Sequence, residues 1–200
     1  MTIRAVIFDI GGVLVRTEDR EPRRKWERRF GLPEWGLADL VFNSPASRRA
    51  SVGKGTRVEV WAEIAHVLSL APEEMDEFIR DFWQGDVWDA DLIAYIRSLR
   101  PRHKTGIISN AWPDAREAVK AHVNGEAFDV IVISGEEGVE KPDPEIYRRA
   151  LARLSVAPAE AVFVDDMPVN VEAARALGML GVQFRAGMDV RAELGKLGIA

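Results

Sequence analysis

Arg4-Ala-Val-Ile-Phe-Asp-Ile-Gly-Gly-Val-Leu-Val15 ends a short apolar run in a single carboxylate, Asp9, and places two glycines, Gly11 and Gly12, just beyond it. A continuous run of β-branched and aromatic residues reads as a strand buried on both faces, as in a parallel sheet. The glycines let backbone N–H groups approach an anion where side chains would collide. Asp9 is thus a reactive group at a strand tip. The position two residues further on, where a second carboxylate would give a nucleophile its own proton donor, is Gly11.

Four later runs repeat the pattern: Lys104-Thr-Gly-Ile-Ile-Ser-Asn110, Phe128-Asp-Val-Ile-Val-Ile-Ser134, Glu160-Ala-Val-Phe-Val-Asp-Asp166 and Leu180-Gly-Val-Gln-Phe184. Helices are predicted between them, over residues 145–154 behind Asp143-Pro144 and over 168–177 before Gly178. Strands alternating with helices specify an α/β fold with a parallel sheet, whose ligands sit beyond the carboxyl ends of the strands. Those ends carry Asp9, Ser109 with Asn110, Ser134, and Asp165 with Asp166.

Residues 16–88 break the rhythm, with helical patterns at 22–30, 33–41, 57–68 and 72–83 and almost no strand signal. Loops are expected at Gly31, at 43–46 and at 53–55. Trp26, Trp35, Trp61, Trp83 and Trp88, five of the six tryptophans, fall here and predict a small satellite core. Because the chain leaves directly after the Asp9 strand and returns before the Ser109 strand, the insertion is expected over the strand ends as a lid. The domains are therefore read as a core of residues 1–15 and 89–200 with an inserted helical cap of 16–88.

The 200 residues are 47% hydrophobic and 30% charged, an ordinary globular balance. A formal charge of −5 argues against general affinity for nucleic acid. Zero cysteines rule out disulfides and thiolate catalysis and fit a reducing compartment. No stretch approaches the roughly 18 apolar residues of a membrane span, and the first residues lack a signal peptide's longer apolar core. The reading is a cytoplasmic protein without a membrane partner.

Asp9, Ser109, Lys141 and Asp166 are distant in sequence, yet such a sheet would gather them. A carboxylate can attack phosphorus or carbon and split one displacement into two. A hydroxyl, backbone amides and a lysine can hold the anion that develops. Adjacent acids near Asp9 would repel it unless a cation intervened, and Mg²⁺ favours such oxygen ligands.

With VIFDIGGVL, IISNA, Val139-Glu-Lys141-Pro-Asp-Pro144 and VFVDDMPVN in order, the chain resembles the haloacid dehalogenase-like hydrolases, and its helical insertion lies where their helical-cap subclass carries the cap. The resemblance implies a Rossmann-like core and a Mg²⁺-dependent phosphatase acting on a small phosphorylated metabolite through an aspartyl-phosphate. It implies Asp9 as nucleophile and metal ligand, the Gly11 carbonyl and Asp166 as further ligands, and Asp165 acting through water or as an alternative ligand. Asn170 would support the metal from outside, Ser109, Asn110, Gly11 and Gly12 would hold phosphate, and Lys141 would bridge Asp9 and the phosphate. Mn²⁺ could substitute.

The departure is Asp9-Ile10-Gly11, where family phosphatases usually carry a second Asp as general acid and base. A missing general acid costs about 10² to 10⁴ in rate, least for good leaving groups. Two alternatives follow: a non-catalytic binding protein on this fold, or a metal-free 2-haloacid dehalogenase. Family dehalogenases look to have an aromatic residue where Gly11 stands, which disfavours the latter.

The insertion's Arg16, Arg20, Arg23, Arg24, Lys25, Arg28, Arg29, Arg48 and Arg49 read as a solvated helix face, since Glu21 and Glu27 are interleaved. His66, His103 and His122 lack metal-ligand spacing and are expected to be surface or structural. Trp112 is equally compatible with the pocket entrance and with packing. Segment 15–20 and the insertion's loops are expected to select the substrate.

Overall fold

A computed structural model of the chain describes residues 2–123 and 127–199. It begins with β1 (Ala5–Phe8) and β2 (Val15–Thr17), then passes through α1 (Glu21–Phe30), α2 (Gly36–Asn43), α3 (Pro45–Ser51), α4 (Arg57–Leu68) and α5 (Met75–Gln84). The chain returns through β3 (Asp86–Trp88), α6 (Ala90–Ser98), β4 (Lys104–Ser109), α7 (Ala115–Val123) and β5 (Val130–Ile133). It closes with α8 (Ser134–Glu137), α9 (Pro144–Leu154), β6 (Ala161–Asp165), α10 (Pro168–Ala176), β7 (Leu180–Gln183) and α11 (Val190–Gly195).

The main sheet is parallel throughout, in the order β5-β4-β1-β6-β7, so the strand bearing Asp9 lies at its centre. Successive side chains point to opposite faces. Val6, Phe8, Val162 and Val164 pack into one layer with Ile93 and Ile96 of α6, Val119 of α7 and Leu194 of α11. Ala5, Ile7, Ala161 and Phe163 pack into the other with Tyr147, Ala150 and Leu151 of α9 and Ala174 of α10. Full burial of each large apolar side chain contributes roughly 1.5–3 kcal/mol. This two-sided burial is why the strands read as unbroken apolar runs rather than alternating ones.

The insertion has its own apolar centre of Trp26, Leu37, Val41, Val60, Trp61, Ile64, Phe78 and Phe82. Trp88 lies outside it, packed against the main core and stacked on His122 at 5.0 Å. Trp35 is 47% exposed beneath the Arg20 guanidinium, and Trp112 joins the cluster from outside the insertion.

Several expectations are corrected. The insertion is bracketed by an antiparallel pair, β2 with β3, in register Arg16↔Val87, although the sequence carries almost no strand signal there. Three-residue strands are too short to show a period, and their partners are about 70 residues apart in sequence. The loop expected at 43–46 contains the start of α3: Ser44 accepts a hydrogen bond from the Ser47 N–H at 3.1 Å, and Pro45 occupies the first turn. The helix expected over 33–41 is shifted to Gly36–Asn43, and the one over 72–83 opens as a 3₁₀ turn before α5. Ser134 is the first residue of α8 rather than the end of a strand.

The solvated-face reading fails at Arg23. Arg24, Lys25, Arg28 and Arg29 do form exposed pairs with Glu34, Glu77, Glu21 and Glu74. Arg23 is 4% exposed: its Nε donates to the Phe82 carbonyl at 2.7 Å, one terminal nitrogen to Thr17 Oγ1 at 3.1 Å, and the other to both Asp86 oxygens at 2.9 and 2.8 Å. One guanidinium thus ties α1 and α5 to both strands of the connecting pair. Removing it leaves the partly buried Asp86 carboxylate held by Thr17 Oγ1 without its cation, so Arg23→Ala is expected to cost about 3 kcal/mol in urea unfolding. Arg23→Lys recovers only part of that, because the two-oxygen grip on Asp86 needs the planar fork.

Candidate active site

Strand alternation decides which carboxylates meet. Asp9 follows Ala5 and Ile7, Asp165 follows Ala161 and Phe163, and these residues are paired in register, Ala5↔Ala161 and Ile7↔Phe163. Both acids therefore emerge on the α9 side of the sheet, and Lys141 arrives there from the segment before α9. Its Nζ lies 2.8 Å from Asp9 Oδ1 and 2.7 Å from Asp165 Oδ2, with all three residues buried. Asp165 is thus a second partner of Lys141, beyond the link to Asp9 that the motif order implies.

Each of these groups is held from behind. Asp165 accepts from the Asn170 amide through both oxygens at 3.1 Å and from the Met167 N–H at 2.8 Å. The Tyr147 hydroxyl donates to the Asn170 carbonyl at 2.9 Å, which fixes the residue holding Asp165. Asn110 and Lys141 are paired reciprocally, the amide Nδ2 donating to the Lys141 carbonyl and the Lys141 N–H donating to Asn110 Oδ1, both at 2.8 Å. Tyr147 was not singled out in the sequence; only its place on the apolar stripe of a helix following Lys141 marks it.

Ser109 is the last residue of β4 and 3% exposed; among the described residues its hydroxyl bonds to neither Asp9 nor Lys141. Gly12 has φ +73°, and a Cβ there would collide with the Asp166 carboxylate. Glycine is required at that point both for its backbone and for the close approach. Gly11 differs: a Cβ would meet nothing within 4 Å. Trp112 is buried in the insertion's cluster, which settles its two readings in favour of packing.

Asp9, Asp165 and Asp166 each offer an oxygen within 4.8 Å of the others. Three carboxylates and one ammonium leave a formal −2, and a divalent cation fits that donor set. Asp165 has its oxygens committed to Lys141, Asn170 and Met167, whereas Asp166 is half-buried against Gly12. No histidine joins the cluster among the described residues. Hollows of about 420 and 310 Å³ lie along α1 instead, lined by Lys25, Arg28, Asp81, Glu27 and Glu34 among others. Neither is lined by Asp9, Lys141, Asp165 or Asp166, so they are separate from the acid cluster.

Burial pushes the Asp9 carboxyl up to about 6, against the pull of Lys141 and with the help of the Asp165 charge. Asp166 is also raised, by burial and then by Asp165. For Asp9 the folded value lies above the unfolded 3.8, so its charged form costs stability above about pH 6 and the cost disappears below the unfolded value. Metal-free Asp9→Asn is therefore expected to melt above wild type at pH 8. The difference closes towards pH 4; a lower melting temperature for the variant at pH 8 would contradict the electrostatics.

Residues 3–178 match the family model for haloacid dehalogenase-like hydrolases. A phosphoserine phosphatase of Thermus thermophilus is 38% identical over 206 residues, covering 92% of this chain and 82% of that protein. A sesquiterpene phosphatase of Aspergillus oryzae is 28% identical over 198 residues, covering 98% and 97%. Among solved structures, a family enzyme of Bacteroides thetaiotaomicron in complex with magnesium and inorganic phosphate superposes with a TM-score of 0.79 at 20% identity, covering 96% of this chain and 98% of the other. With its parallel sheet, helical insertion and buried acid cluster, the chain belongs to the haloacid dehalogenase-like hydrolase family.

Proposed function

We propose that this hydrolase is a Mg²⁺-dependent phosphatase of a small phosphorylated metabolite, with Asp9 as nucleophile. The observation that carries the reading is the buried Asp9–Lys141–Asp165 bridge with Asp166 beside it. Lysine and strand neighbours orient one carboxylate and leave a cation's worth of negative charge uncompensated. The phosphatases among its relatives support the same reading.

An Asp9 oxygen attacks phosphorus, the bond to the substrate alcohol breaks, and a phosphoryl group is left on Asp9. Water then attacks that phosphorus, releasing phosphate and restoring the carboxylate. Lys141 holds the Asp9 carboxylate before attack and bridges it to the phosphate, balancing negative charge on the phosphoryl oxygens, while Ser109, the Asn110 backbone and the amides near Gly11 and Gly12 hold those oxygens. Magnesium, or manganese in its place, would be held by Asp9, Asp166 and the Gly11 carbonyl, with Asp165 behind them, and would supply positive charge between two anions. Residues 16–88 act as the cap over a core of 1–15 and 89–200. The lack of cysteine supports a cytoplasmic setting.

No carboxylate stands two residues after Asp9, so the leaving alcohol takes its proton from water or a residue of the insertion, or leaves unprotonated where it is acidic, and turnover depends on the leaving group. The open space at Gly11, whose φ is not positive, makes the direct test clean. Wild type is expected to release phosphate from metabolite esters only with Mg²⁺ or Mn²⁺, and Asp9→Asn to abolish that release; full activity in Asp9→Asn would overturn the proposal. Gly11→Asp should raise kcat for alkyl phosphates by about tenfold or more and change aryl phosphates little, as expected of a restored general acid.

A further inference from the structure

We infer that Trp112 is a positioning residue that couples the helical insertion to the turn Ser109–Asn110; its catalytic consequence rests on the phosphatase reading above. Trp112 follows Ser109 by three residues, a reach of at most about 10 Å. Yet its side chain belongs to the insertion, 7% exposed, with ring centres 5.9 Å from Trp61, 6.2 Å from Trp83 and 6.3 Å from Phe42.

Its indole Nε1 donates to Ser47 Oγ on α3 at 2.9 Å, and Ser47 is 1% exposed. Burying an indole does not by itself require this bond: among the described residues, the Trp61 N–H is buried in the same cluster with no partner. What the bond adds is direction. A ring packed in an apolar cluster can slide, whereas a buried hydrogen bond fixes its angle to α3.

The other side of the turn is equally constrained. The Ala111 N–H donates to Ser134 Oγ at 3.0 Å and the Gly135 N–H donates to the Ala111 carbonyl at 3.0 Å. Gly53, just after α3, sits so close to Gly135 that a Cβ would lie 2.6 Å from the Gly135 carbonyl. Asn110 is paired twice with the Lys141 backbone. A shift of α3 is therefore passed through Trp112 to Asn110, and from Asn110 to the lysine that stands between Asp9 and Asp165. The Arg57–Asp114 pair at 3.4 Å spans the same seam, but both side chains are exposed and such pairs contribute little.

Ser47→Ala, Trp112→Phe and the double variant test this, with Ser47→Thr as the conservative rescue that keeps a hydroxyl. Hydrogen exchange at the amides of 109–111 is measured alongside kcat/KM for an aryl phosphate with Mg²⁺. Each single variant is expected to speed exchange at those amides and lower kcat/KM by about 10- to 100-fold, as misplacement of reacting groups does. The double variant should be no worse than either single, and Ser47→Thr should restore both readouts. Exchange at 109–111 unchanged from wild type, or additive losses in the double variant, would overturn the inference. If wild type releases no phosphate, the phosphatase reading falls, and the exchange pattern still decides the coupling.

Discussion

The Lys141 ammonium between two buried carboxylates is the interaction on which the rest of the arrangement depends. At 2.8 and 2.7 Å it joins the ends of β1 and β6 to the segment that precedes α9. Buried charges persist only when paired, and here one cation serves two anions. The arrangement is satisfied around Asp165, which also takes three contacts from Asn170 and Met167, and is left short at Asp9. Burial, with the neighbouring Asp165 charge, raises both the Asp9 and the Asp166 carboxyls.

Around that centre the fold spends its polar contacts on keeping backbone segments in register. Asn110 clasps the Lys141 main chain, Tyr147 clasps Asn170, and Ala111 is pinned to Ser134 and Gly135. The insertion's helices are tied to its own connecting strands by the Arg23 guanidinium, and the insertion is tied to the turn after β4 by Trp112. It is thereby linked to the site through packed side chains as well as through its two chain connections.

Much of this was legible from residues alone, and the reason is local. Strands buried on both faces must be continuous apolar runs, so β1, β4 and β6 announced themselves, and the polar residues that ended them marked the site. Gly12 was readable as a point of close approach, and the pair Asp165-Asp166 as acids needing a partner. The connecting strands β2 and β3 were not readable, since three residues carry no period and pairing across the whole insertion leaves no local trace. Arg23 looked like its exposed neighbours because burial is a property of the packed structure. Trp112 could be read two ways because its position near Ser109 and its membership in a distant aromatic cluster are independent facts.

By itself, then, the sequence determined the α/β order, the central strand with Asp9 at its tip, the missing carboxylate at Gly11 and the set of polar residues at the strand ends, because each follows from short-range pattern. Only the tertiary structure decided that Asp165 shares Lys141 with Asp9, that Asp166 is the carboxylate lying against Gly12, that Trp112 packs into the insertion's core, and that Arg23 binds the insertion's helices to its connecting strands. Those depend on strand register and side-chain direction between segments far apart in the chain, and a shift of one residue in register would send each carboxylate to the opposite face of the sheet.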